Sequence, residues 1–202
     1  MNVFYEESGS FKAATVKTEN PGSMQVEAVS GKRSKIKTAN VLLNFDEVLD
    51  GFMDIAGAEA ETLDTDFLWE CIEGAEFNYQ DLAKLYYGDK PTNVQFAATA
   101  IKVHGAPIYF YRKGKGNYKA APEETLKLAQ AAVERKRVQV EQMAVWVEQL
   151  NNKELPEGFA EKADFLIYNP DKNSVEWKAI DSAASSSGRL TLTVMADAGL
   201  IT

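Results

Sequence analysis

The chain has 202 residues but one cysteine, Cys71, and one histidine, His104. A lone thiol excludes an internal disulfide, and the two residues together supply too few nitrogen and sulfur ligands for a zinc centre. Any serine–histidine triad would have to pass through His104, which precedes Gly105 at a predicted helix end and suits the negative end of the dipole. Cys71 falls beside Leu68 and Ile72 on an apolar helix face and reads as a packing residue rather than a nucleophile. No apolar run approaches the roughly 18 residues a membrane span needs. The start, Met1-Asn2-Val3-Phe4-Tyr5-Glu6-Glu7, lacks the basic and apolar regions of a signal peptide. The expectation is a soluble, cytoplasmic protein with no membrane partner.

Basic charge is also short, with 22 Lys and Arg against 30 Asp and Glu, a net of −8. As an average this disfavours binding to polyanions, but the average hides strong segregation. Residues 46–73 hold ten acids and no Lys or Arg, whereas residues 102–119 hold five bases and no acid. Residues 1–45 carry six bases and four acids. Two basic segments therefore flank an acidic block, and local fields decide which surface meets a polyanion.

Turn signals at Ser8-Gly9-Ser10, Asn20-Pro21-Gly22-Ser23 and Ser30-Gly31 divide residues 1–45 into short β-prone runs. The runs are 3–5, 11–17, 24–28, 34–37 and 41–43. Strands this short suit a small SH3-like or OB-like β-barrel that hides its edges by closing. Residues 46–60 have helical periodicity at Val48, Phe52, Ile55 and Ala56, an acidic linking helix over 46–64. Thr65-Asp66 caps a helix through Cys71 that stops at Gly74. Asn78 caps a second with Leu82, Leu85 and Tyr86 inward, and Thr92-Asn93-Val94-Gln95 is a capping box for a third ending at His104-Gly105. A strand over 107–112, a glycine turn and a strand over 118–120 follow. Three helices and a hairpin give residues 65–121 the order of a winged helix-turn-helix.

Pro122-Glu123-Glu124 opens a helix expected to reach about Asn151. Its seam runs Leu126, Ala129, Val133, Lys136, Val140, Met143, Val147 and Leu150, apolar except for Lys136. An arm folded back on its own domain is the simpler reading, ahead of an intermolecular coiled coil. Shorter helices follow near 158–165, 173–185 and 189–198, although residues 190–194 alternate like a strand. The fold class is α+β, with residues 122–202 a long helix plus a helical tail.

Two basic hairpins carry the candidate chemistry. Arg112, Lys113, Lys115 and Lys119 interleave with Tyr109, Phe110, Tyr111 and Tyr118, the combination of phosphate-neutralising cations and stacking rings that single-strand binding uses. Lys113-Gly114-Lys115-Gly116-Asn117 joins two strands, so it reads as a wing turn and not as a nucleotide loop. Lys32 opens the other hairpin, where alternation places Arg33, Lys35 and Lys37 on one face, an arrangement that also guards an edge strand. Lys102 completes the candidate set as the single lysine of the third helix. That helix has no arginine, which weakens sequence-specific duplex reading. Asp64-x-Asp66 reads as a helix cap and first-turn acid rather than a metal pair.

Val3-Phe4-Tyr5-Glu6-Glu7, the 31–37 run, Asp81-Leu82-Ala83-Lys84-Leu85-Tyr86-Tyr87-Gly88, residues 108–116 and the 120–124 helix start resemble the N-terminal region of bacterial ribonuclease II family proteins. The resemblance spans essentially all 202 residues, to a branch with a small barrel and winged helix at its front. It implies magnesium-dependent hydrolysis of RNA from the 3' end by an aspartate cluster. This chain contains no Asp-Asp pair, so no catalytic residue or metal ligand transfers to it. The expectation is a non-catalytic region that binds single-stranded RNA beside a C-terminal catalytic domain of the same protein. A protein-interaction module and a winged-helix DNA-binding regulator are the alternatives.

Overall fold

The computed structural model describes residues 1–72 and 74–201. It divides into two compact units, residues 1–127 and 128–202. The architecture is mixed α+β with antiparallel sheets and one long helix.

The first unit begins with strands β1 (Asn2–Glu7), β2 (Ser10–Asn20), β3 (Ser23–Glu27), β4 (Arg33–Lys37) and β5 (Val41–Phe45), with a 3-10 turn, Thr38–Asn40, before β5. They form an antiparallel sheet in the order β4-β3-β2-β1-β5. The expected closure is not made by hydrogen bonding, because β4 and β5 are the ends of this order and do not pair among the described residues. Register shifts interrupt β2 opposite β3 and β1 opposite β5, and such irregularities bend a strand. One face then buries Val3, Tyr5, Ala14, Met24, Val26 and Ile36 in a core made only of strand residues.

The other face is divided. Its β1–β5 end contributes Phe4, Leu43 and Phe45 to a larger core shared with the helices, which is why β1 is buried on both faces. Its β3–β4 end stays in solvent and carries the charges. Residues 1–45, 46–64 and 65–121, distinct in sequence, thus lie within one unit.

The acidic helix α1 spans Phe52–Thr62, starting later than the periodicity suggests. Gly51, at φ 77°, is left-handed and breaks the helix there. Phe52, Ala56 and Ala60 face inward, while Val48 and Ile55, assigned to the same face from sequence, are exposed. Asp64 caps α2 (Thr65–Glu70) by accepting from the Phe67 amide at 3.1 Å. A short strand that periodicity does not reveal, β6 (Glu76–Asn78), precedes α3 (Tyr79–Tyr87). Here Tyr79, Leu82 and Ala83 are buried and Leu85 is exposed, correcting the expected inner face. Helix α4 (Asn93–His104) starts from the predicted Thr92–Gln95 capping box. Strands β7 (Phe110–Gly114) and β8 (Asn117–Ala120) form the hairpin, and the second sheet has the order β6-β8-β7.

Helix α5 (Glu123–Asn151) begins in the first unit and continues in the second. Leu150 is buried, and Met143, Trp146 and Val147 pack with it against the tail core. Residues 131–142 are all exposed, Val133 and Val140 among them. The tail consists of α6 (Ala163–Tyr168), α7 (Val175–Ser187) and α8 (Thr191–Asp197). Phe159 meets Trp146 edge-on at 5.2 Å. The alternating stretch is helical because Val194, Met195 and Ala198, at helical spacing, bury against α7.

Candidate nucleic-acid interface

Alternation along β4 places Arg33, Lys35 and Lys37 in solvent, with Ile36 buried and Ser34 half-buried on the other face. Across the ladder they stand opposite Glu27, Gln25 and Ser23. Arg33 is not free: its Nε donates to Glu27 at 2.7 Å, and Lys17 reaches the same carboxylate at 3.1 Å. These bonds, Arg33's first, hold the Glu27 carboxyl below its ordinary range. Lys32 is exposed in the turn before β4.

The second hairpin is pinned to the small sheet. Tyr79 donates its hydroxyl to the Leu42 carbonyl at 2.7 Å, and its amide donates to the Gly116 carbonyl at 2.9 Å. Gly116 sits at φ 71°, where a Cβ would stand 3.0 Å from the Tyr79 ring and 3.2 Å from Leu42, so glycine is required twice over. From this turn Lys115 donates to the Asn40 side chain. Asn40 ends the 3-10 turn for which Lys37 is the N-terminal cap residue. At a rise of about 2 Å per residue, the Lys37 and Asn40 backbones lie about 6 Å apart. The two basic hairpins, distant in sequence, therefore meet around Asn40. Lys113 is exposed on the same hairpin, and Lys119 is half-buried opposite Tyr111.

Three candidates are placed differently. Lys102 is half-buried and lines a cavity of about 350 Å³ with Glu61 and Thr65, which contains no residue of either hairpin. Arg112 pairs with Glu6, a carboxylate whose side chain is only 2% exposed. Tyr118 is 1% exposed and stacks against Phe77 at 6.1 Å. Its expected role on nucleobases is therefore corrected: on β8 the inward positions fill the core, and Tyr118 is one of them.

Tyr118 also joins a polar link from the β7–β8 hairpin through α4 to the small sheet. The His104 Nε2–H donates to the Gly9 carbonyl at 3.0 Å, which leaves Nδ1 to accept from the Tyr118 hydroxyl at 3.3 Å. Burial pushes the Tyr118 phenol up to about 12, and burial does the same for Tyr79. Both stay protonated in the fold while an unfolded chain releases their protons from about pH 10. Stability is full below pH 10 and falls as the pH rises toward 12, by about 1 kcal/mol per tyrosine at pH 11. Urea midpoints at pH 9 and 11 should differ accordingly. Tyr79→Phe and Tyr118→Phe should flatten the dependence, and an unchanged slope in both would contradict the assignment.

The acidic segment has its own anchors. Glu47 accepts from Asn93 at 2.9 Å, Glu59 from the Tyr87 hydroxyl at 2.8 Å, and Asp66 from the Tyr109 hydroxyl at 2.8 Å. Among the described residues no three His, Cys, Asp or Glu side chains stand close enough to share a metal ion, and no helix is long and apolar enough to cross a membrane. The Cys71 thiol is half-buried, and burial pushes its pKa up, away from the reactive thiolate.

Helix α4 bears on the duplex-reading alternative. Among its described residues none is exposed: Ala97, Ala98, Thr99, Ala100 and Val103 are buried and the others are half-buried. Helix α1 and strand β5 pack against it. A helix that enters a major groove must offer a free face with side chains reaching base edges, and this one has neither. No protein-family model, curated protein or solved structure matches the chain.

Proposed function

We propose that this chain is a single-stranded RNA-binding, non-catalytic region, acting beside a magnesium-dependent catalytic domain in a cytoplasmic exoribonuclease similar to the ribonuclease II family. The observation that carries the binding role is the meeting of the two basic hairpins at Asn40, where Lys115 bonds the turn that Lys37 opens. Lys32, Lys35, Lys37, Lys113 and Lys115 form the phosphate-binding set. The strand order β4-β3-β2-β1-β5, with a 3-10 turn before β5, supports an SH3-like small barrel. The sequence α2-β6-α3-α4-β7-β8, with sheet order β6-β8-β7, supports a winged helix whose third helix serves as packing.

Five lysines on a single strand imply a log–log salt slope of about −3.5 and micromolar or weaker affinity at physiological salt. Combined Lys35→Glu, Lys37→Glu, Lys113→Glu and Lys115→Glu reversal should weaken binding of a labelled oligo-U by at least about 100-fold in fluorescence anisotropy. Lys102→Glu should leave it unchanged. Equal affinity for the reversed and unsubstituted chains would refute the role. The exposed valines of α5, Val133, Val138 and Val140, favour protein contact as a second reading, which capture of a partner after nuclease treatment would support.

A further inference from the structure

On the wing the two faces of the hairpin have been put to different uses. Arg112 and Tyr118 are directly paired across β7 and β8; Tyr118 packs inward against Phe77, and the half-exposed Arg112 reaches the buried Glu6. The neighbouring row points outward: Tyr111 stands opposite Lys119, which stands opposite Glu76. Tyr109 spends its hydroxyl on Asp66, and Phe110 is buried against Phe77. Tyr111 is 37% exposed and, unlike Tyr109 and Phe110, its side chain is not committed to a core contact. It is flanked by cations, Lys119 across the ladder and Lys113 two residues along the strand. About 10 Å of strand separates it from Gly114, next to the lysine that reaches Asn40.

We infer that Tyr111 is the base-stacking residue of the interface and the group that selects single strands over duplexes. This rests on the RNA-binding reading above. Lysines alone bind any phosphate backbone, paired or unpaired, because their contact is to charge. A ring beside them adds a contact that only an unstacked base can make, worth roughly tenfold per base and indifferent to base identity. With one such ring, the preference is for unpaired over paired strands, with little choice among sequences.

The test compares a labelled oligo-U with an RNA duplex of the same length, using the full chain and its Tyr111→Ala and Tyr111→Phe variants. Thermal melts establish that each variant is folded. Tyr111→Ala should weaken oligo-U binding about tenfold and leave the duplex within twofold, while Tyr111→Phe, which keeps the ring, should match the unsubstituted protein. If Tyr111→Ala binds oligo-U normally while the Lys113→Glu, Lys115→Glu pair does not, stacking by Tyr111 is overturned and the phosphate interface survives. Equal losses on oligo-U and duplex overturn it too. Absence of binding by the unsubstituted chain overturns both readings together.

Discussion

Arg112→Ala is expected to destabilise the first unit by about 2–3 kcal/mol. The reason lies in its partner rather than in itself. Glu6 is buried on β1, its Oε1 accepts from Arg112, and its Oε2 has no hydrogen-bond partner. Removing the guanidinium leaves a buried carboxylate without a counter-charge, which costs about 3–5 kcal/mol when both partners are buried. Arg112 is 43% exposed, so water can enter the vacated space and the loss is smaller. Glu6→Gln in the same chain should recover much of it, since the group left behind is then neutral. Urea denaturation of the two single variants and the double variant measures the coupling. A stable Arg112→Ala with weakened RNA binding would reverse the assignment and return Arg112 to the phosphate-binding set.

The loss for Phe52→Ala should be larger, about 3–5 kcal/mol. Phe52 is the first residue of α1 and is 2% exposed. Its ring stacks on Phe45 of β5 at 3.9 Å and meets Phe4 of β1 edge-on at 6.5 Å. The three rings join the small sheet to the helices, so their separation should loosen both. Hydrogen exchange of the β1, β5 and α1 amides should accelerate together in the 202-residue variant. Ile55→Ala, on the exposed side of the same helix, should cost no more than about 0.5 kcal/mol. Comparable losses in the two variants would show that the ring cluster is not the joint.

Elements set by neighbouring residues were legible in the sequence. The five β-prone runs of residues 1–45 are the five strands, and the Asn78 cap and the Thr92–Gln95 capping box start α3 and α4 as expected. Cap bonds and hydrophobic periods act over two to four residues, so the sequence contains their determinants. Val48, Ile55 and Leu85 fit an apolar period yet lie in solvent, because a helix's period names a candidate stripe while the surrounding elements decide how much of it is covered. Strand β6 has no signature in the sequence, since three residues carry no period of their own, and it forms as the partner of β8.

The candidate site divides along the same line. By itself the sequence determined that charge is segregated, that β4 presents alternate cations, and that a glycine turn carries lysines. Tertiary structure alone decided which of these cations are available and which rings are outside. Lys115 meets Asn40 across 75 positions, His104 meets Gly9 across 95, and Arg112 meets Glu6 across 106. Those pairings convert Arg112 from a candidate ligand contact into the counter-charge of a buried acid, and Tyr118 from a stacking ring into core. The physical reason is burial: a charge or ring of given local pattern serves the core or the surface according to what folds against it, and that surface is assembled from distant segments.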